Sequence, residues 1–288
     1  VKSPAVLKAE VLLYRFAAGT AALLPLWFLQ GVGRGIGAAY FLLSSRRRRI
    51  ALANLARVFP AWTAGRRWRT GLACGAHFGR IALDYLKWSR APAPFIRRKV
   101  RIEGLEHVKA AKARGRGVFI LSAHFGHWEV AALALSIEGY PQAMVHRPLD
   151  NPGLEAALSA RRTRFGNTLV SKHGALKGML KVLRAGGLVD ILIDQKSADE
   201  VSHTVPFLGI STPTVASLAK LVAATDAAVV PLFAVPDGTG YRVELRPPMT
   251  RGEGEAEEAF TARCNAVLSE AILARPPLWL WFHNRWKI

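Results

Sequence analysis

Cysteine is nearly absent from this 288-residue chain: only Cys74 and Cys264 occur. Neither has partners at metal-ligand spacing, and neither stands in a strand-to-helix elbow. Zinc-finger frameworks and a cysteine nucleophile are thereby set aside, and both thiols read as reduced core residues of a cytosol-facing protein. Acidic residues are scarce too, 20 against 40 lysines and arginines, giving a formal net charge of +20. Such a charge suits nucleic acid, an anionic membrane surface or an acidic protein. The basic residues are dispersed and no RNP-like aromatic strand accompanies them, which argues against nucleic acid. Long apolar runs are also missing. The longest clean one, Phe16 to Gln30, falls short of the roughly 20 residues that a spanning helix needs. No Ala-x-Ala-type cleavage site or brief leading charge cluster marks a secretory signal.

Apolar residues are plentiful at 51% of the chain, enough for a full core. From Val11 to Leu43 they dominate, interrupted by Arg15, Pro25, Gln30 and Arg34, and Arg46-Arg47-Arg48-Arg49 follows at once. An apolar segment beside a basic run predicts an N-terminal helical membrane anchor over residues 1–49, lying in the interface or entering it obliquely. A core helix followed by a solvated basic face is the alternative. Further helices are expected between residues 50 and 90, the first ended by Phe59-Pro60 and the second running from Gly65 to Trp88. Ala76-His77-Phe78-Gly79 duplicates Ala123-His124-Phe125-Gly126, but Ala82 stands five residues after His77 and no strand leads in. His77 therefore reads as a packed helix histidine.

Beyond Arg101 the pattern alternates. Gly117–Leu121, Gln142–His146, Leu188–Asp194, Ala228–Ala234 and Tyr241–Leu245 read as strands. Helical patterns fill Trp128–Glu138, Pro152–Phe165, Ala175–Ala185, Val215–Ala224 and Glu255–Ala274. The expected fold is α/β with a central, mostly parallel sheet flanked by helices, residues 50–288 forming one domain. Ligands of such sheets gather at the carboxyl ends of the strands. His124, His146-Arg147 and Asp194-Gln195 all lie at or just past such ends.

His124 is the candidate general base, since histidine titrates near neutrality. Glu129 is its candidate partner. On one continuous helix, residues five apart point about 140° apart. With His124 ending a strand and Glu129 in the next helix's first turn, the carboxylate is expected to reach the imidazole. Capping of that helix is the plainer role for His124. His127 could join them as a metal ligand, but the spacing is not His-Glu-x-x-His and no further ligand is signposted, so pocket shaping is preferred. Arg147 offers a guanidinium fork for a phosphate, with Pro148 and Asn151-Pro152 stiffening its loop. Arg161, Arg162 and Arg164 extend the basic surface. Asp194 and Gln195 are candidate substrate-binding residues, Asp194 bracing Arg147 or orienting the catalytic loop, with a purely structural role as the alternative. Val205-Pro206-Phe207-Leu208-Gly209 suits an acyl groove, and Thr212-Pro213 a helix start. The tryptophans near the C-terminus fit a membrane interface or the core equally well. His173 and His203 are left in polar loops.

The His124-x4-Glu129 block resembles the His-x4-Asp/Glu motif of the lysophospholipid (glycerolipid) acyltransferase superfamily, and most closely its bacterial lipid A late acyltransferases. Further blocks carry the likeness: Asn54-Leu55, Phe59-Pro60, Arg147 through Pro152, Asp194-Gln195, Val205 through Gly209, Thr212-Pro213 and Trp281 through Lys287. The resemblance spans nearly the whole chain. It implies O-acyl transfer from an acyl thioester, on an acidic acyl carrier protein or coenzyme A, to a hydroxyl of a lipid acceptor such as a lipid A precursor. It implies no cofactor and no metal, an inner-membrane anchor and work at the cytoplasmic face. An arginine followed by glycine recurs in the family's acceptor block, which selects Arg164 as a substrate-binding residue beside Phe165-Gly166. The other readings are a phosphatidylinositol-mannoside or lysophospholipid acyltransferase, a His/Glu lipid-ester hydrolase, and a non-catalytic membrane-binding protein.

Overall fold

The computed structural model describes residues 3–172, 174–195 and 201–287. Four helices come first: α1 (Pro4–Leu23), α2 (Leu26–Leu43), α3 (Ser45–Val58) and α4 (Ala64–Trp88). The short α5 (Ala93–Lys99) leads into β1 (Val100–Glu103), and α6 (Leu105–Ala113) into β2 (Val118–Ser122). Then alternate α7 (Trp128–Ile137), β3 (Gln142–His146), α8 (Pro152–Arg162), β4 (Thr168–Ser171), α9 (Ala175–Arg184) and β5 (Leu188–Leu192). The hairpin of β6 (Ser202–Phe207) and β7 (Ile210–Val215) precedes α10 (Ser217–Thr225). The chain closes with β8 (Ala228–Asp237), β9 (Gly240–Leu245) and α11 (Glu257–Ala274).

Seven strands form one sheet in the order β1-β9-β8-β2-β5-β3-β4. Among the described residues only the β8–β9 pair is antiparallel in it; the other five neighbouring pairs are parallel, as the alternating pattern predicts. The continuous apolar run of β2 follows from its place near the centre, where all five residues are buried. Phe119, Leu121 and Val229 face one core with α10, α11 and the C-terminal tryptophans; Val118, Ile120 and Val230 face another with α5, α6 and α7. Each such side chain contributes about 1.5–3 kcal/mol by leaving water.

The expected N-terminal membrane anchor is corrected. Among the described residues no helix is long and apolar enough to cross a membrane. Pro25 divides the apolar stretch, and α2 is packed on α4 through glycines. A Cβ on Gly79 would come within 2.1 Å of the Gly33 carbonyl oxygen, and one on Gly37 within 1.9 Å of that of Gly75. Gln30 is buried in the same contact and donates to Asp84 (3.1 Å) and to the Thr239 carbonyl (3.0 Å). We expect Gly79→Val to cost about 1–3 kcal/mol by overpacking, read as a lower denaturant midpoint. Gly31→Ala, where nothing lies within 4 Å, should leave that midpoint unchanged or raise it. On the outer side of α1 and α2, Leu13, Phe16, Leu23, Trp27, Ile36 and Leu43 stay exposed.

Two further expectations change. Thr212-Pro213 does not start a helix: both lie in β7, paired with Val205 and Thr204. Leu208 (φ 52°) and Gly209 (φ 78°) form the two-residue hairpin turn, whose twist needs positive φ at both positions. Phe207 is fully buried against Trp279, ring centroids 5.6 Å apart, so this block builds core rather than an acyl groove. The C-terminal rings are core as well. Trp279 and Trp281 are inaccessible, and Asn54 donates to the carbonyls of Trp281 and His283, both at 2.8 Å. Arg285 is buried and braces the hairpin through the Pro213 carbonyl (2.7 Å) and Thr214 (3.0 Å).

Candidate active site

β2 ends at Ser122, and a tight turn carries His124 before α7 begins. Gly126 makes that turn possible. Its φ is +59°, and a Cβ there would meet the Ala234 carbonyl oxygen at 1.7 Å. Backbone bonds pin the turn on both sides: Gly126 to Leu278 (2.9 Å), His127 to Ala234 (3.0 Å) and Leu280 to His124 (3.1 Å). His124 is thus held at the carboxyl end of a central strand, its ring edge-on to Trp128 at 5.1 Å.

Its carboxylate partner is Asp194, not Glu129. Asp194 follows β5, the strand beside β2, and is fully buried. Its Oδ1 lies 3.0 Å from His124 Nδ1; its Oδ2 accepts from the His124 backbone N–H (3.0 Å) and from the Trp279 indole N–H (2.8 Å). Burial pushes this carboxyl up, but the His124 charge and these three donors outweigh it and hold Asp194 below the ordinary value. With Nδ1–H given to Asp194, the lone pair of the neutral imidazole is on Nε2. Asp194 does not bond Arg147, which pairs with Asp150 at 3.1 Å.

Glu129 turns instead to the last turn of α8, where Arg162 Nε lies 3.1 Å from both of its carboxylate oxygens. The side chains are 12% and 21% exposed, so this forked pair stands at the cavity edge with little solvent screening. Arg162 therefore occupies the place expected for Arg164. Arg164 leaves the site and donates to the Ser89 carbonyl at 2.6 Å. His124, Glu129 and Arg162 line one cavity of about 580 Å³. Leu149, Leu176, Met179, Ile191, Val201 and Val215 give it apolar walls, and Arg147, Lys172 and Lys220 supply further cations. Arg147 stands on a loop ordered by Glu155, which accepts from the Leu149 N–H (2.8 Å) and bonds His146 (3.0 Å). Gln195 is half-buried and is not among the lining residues. An imidazole held by a carboxylate, beside a forked ion pair and opening on a part-apolar, part-cationic cavity, has the arrangement that general-base chemistry on an amphipathic molecule requires.

The family model described as bacterial lipid A biosynthesis acyltransferase matches residues 3–288. The chain belongs to that family. Its relatives include the lipid A biosynthesis lauroyltransferase of Escherichia coli K12, 26% identical over 270 residues that cover 92% of this chain and 87% of that protein. The lipid A biosynthesis myristoyltransferase of the same organism is 26% identical over 83% of this chain and 74% of its own length. Among solved structures, the 1-acyl-sn-glycerophosphate acyltransferase of Thermotoga maritima aligns over 87% of this chain and 97% of that one, at 14% identity and a TM-score of 0.42.

In this acyltransferase the two thiols are free, buried and, chiefly by burial, pushed up to about 12, which leaves no thiolate nucleophile at neutral pH. His203 is not a loop residue: it is buried in β6, 3.0 Å from Thr261 Oγ1. His173 lies outside the described residues. His127 does not shape the cavity. It is wholly buried behind the turn, edge-on to Tyr241 at 5.0 Å. Burial, then His77 and Arg80, push its imidazole well down; burial, then Arg80, lower His77 to about 3. Both are neutral when folded, whereas unfolded histidines titrate near 6.5. The unfolded chain then binds more protons, so stability falls as pH drops from about 6.5 towards 3. We expect the denaturant midpoint to fall across that window and His77→Phe to flatten the fall.

Proposed function

We propose that this chain moves a fatty acyl group from an acyl thioester to a hydroxyl of a lipid A precursor, with His124 as general base. The observation that carries this reading is the His124–Asp194 pair, whose imidazole lines a cavity with apolar walls and a cationic rim. The acceptor hydroxyl gives its proton to His124 Nε2 while its oxygen attacks the thioester carbonyl carbon. The tetrahedral oxyanion collapses, the carbon–sulfur bond breaks, and the leaving thiolate takes the proton from the imidazolium. An ester and a free thiol result. Asp194 stabilises the imidazolium between the two transfers, and no covalent enzyme intermediate or cofactor is needed. Glu129 and Arg162 present a fixed charge pair to the acceptor, and Arg147 a phosphate contact on the acceptor or on the donor's arm.

The net charge of +20 suits an acidic acyl carrier protein as donor, and coenzyme A fits the same cations. The exposed apolar side chains of α1 and α2 near the arginines 46–49 support contact with an anionic membrane surface, which in this reading is the cytoplasmic face of the bacterial inner membrane. The test is a transfer assay by mass spectrometry, offering acyl carrier protein and coenzyme A thioesters with a lipid A precursor, lysophospholipids and mannosylated glycolipids. Esterification of the lipid A precursor is expected. Thioester or ester hydrolysis without transfer would make the protein a hydrolase, and lipid binding without turnover a binding protein.

A further inference from the structure

Asp190 sits in the middle of β5, in register with Ile120 of β2 and Met144 of β3. Such a position in a central parallel strand is ordinarily apolar, because a carboxyl there is costly to desolvate. Asp190 is only 5% exposed, yet it lines the cavity together with His124, Glu129 and Arg162. No hydrogen-bonding group among the described residues supports its carboxyl. The nearby cation, Arg162, is already engaged by both oxygens of Glu129. A buried polar group on a cavity wall, with no hydrogen-bond partner among the described residues, is what fixes a ligand's orientation in an otherwise apolar pocket.

We propose that Asp190 receives a second hydrogen-bonding group of the acceptor, a hydroxyl or amide beside the reacting hydroxyl, and so determines which lipids are acylated. The proposal rests on the acyltransferase reading. An acceptor with this group satisfies the carboxyl, whereas one lacking it leaves the carboxyl buried and unpaired, which is the stronger basis for discrimination. The charged and titratable groups facing Asp190 are Glu129 on α7, Arg162 on α8 and His124 on the turn after β2; His146, Arg147, Lys172 and Lys220 line the same cavity. Burial first, then Glu129, push the Asp190 carboxyl up to about 7, against the pull of Arg162 and His124. Below that pH the carboxyl can donate to the acceptor's group as well as accept from it; above it, the carboxylate only accepts.

The test is the KM for the lipid acceptor, and separately for the acyl donor, in wild type, Asp190→Asn and Asp190→Leu between about pH 6 and 8.5. Asp190→Leu should raise the acceptor KM about tenfold or more and leave the donor KM unchanged. In wild type the acceptor KM should change as pH passes about 7; in Asp190→Asn, whose amide does not titrate, that change should vanish. An unchanged acceptor KM in Asp190→Leu, or an equal rise in both KM values, overturns the assignment while wild-type transfer stands. Wild type that transfers to no hydroxylated lipid sinks the acyltransferase reading, and this one with it.

Discussion

Asp194→Asn is expected to abolish nearly all acyl transfer, by about 10⁴-fold in kcat, while leaving the fold intact. The size of the effect follows from which way the amide must face. Two donors, the His124 backbone N–H and the Trp279 indole, converge on one oxygen of Asp194 at 3.0 and 2.8 Å. Only the carbonyl oxygen of an asparagine satisfies both, so the NH2 group takes the other position, against His124 Nδ1. There it donates, and Nδ1 must accept. The ring proton then moves to Nε2, the nitrogen that acts as base in the proposed mechanism. The imidazolium would also lose its carboxylate. A circular dichroism spectrum and denaturant midpoint close to wild type would show that the loss is chemical.

His124→Ala is expected to lower kcat by about 10²–10⁴-fold, the contribution of a positioned general base, with little change in either KM. The turn should survive, because Asp194 keeps its backbone and indole donors and Gly126 keeps its contacts at Ala234. The truncation opens space at a cavity of about 580 Å³, room enough for free imidazole. Added imidazole should therefore restore part of the rate in His124→Ala and none in Asp194→Asn, where the protein's own ring fills the place. Rates measured against imidazole concentration check this. Undiminished transfer by His124→Ala would remove the base from the mechanism.

The sheet was largely legible because its central strands are buried on both faces. β2, β3, β5 and β8 read as mostly apolar runs and β9 as an alternation, with β3 matching the expected bounds from Gln142 to His146. β1 and β4 are four-residue edge strands, and Arg101 and Glu103 in β1 interrupt any apolar pattern. β6 has a clean alternation of exposed and buried residues, but Pro206 and Pro213 made its hairpin look like a loop and a helix start. The expected anchor rested on an apolar stretch whose glycines turn out to serve close packing on α4.

At the site, His124, Arg147 and Asp194 were identifiable from strand ends and Glu129 from its spacing to His124, and the structure brings them around one cavity or, for Asp194, directly onto His124. Their pairing was not identifiable. Spacing offered Glu129 as the nearby acid, while the contact that forms joins residues 70 positions apart on adjacent strands. The arginine-glycine pattern selected Arg164, whereas Arg162, at the end of α8, turns toward Glu129 and Arg164, beyond it, toward Ser89. Nothing local marked Trp279 as a donor to Asp194. Asp190 did leave a signal, a lone acid inside the run Leu188 to Ile193.

The pairing is tested most directly by the downfield proton spectrum of histidine-labelled protein near neutral pH, with His124→Ala assigning the resonance. A hydrogen-bonded Nδ1–H from His124 is predicted in wild type and in Glu129→Gln, and its disappearance in Asp194→Asn. A resonance that survives in Asp194→Asn and is lost in Glu129→Gln would contradict the account.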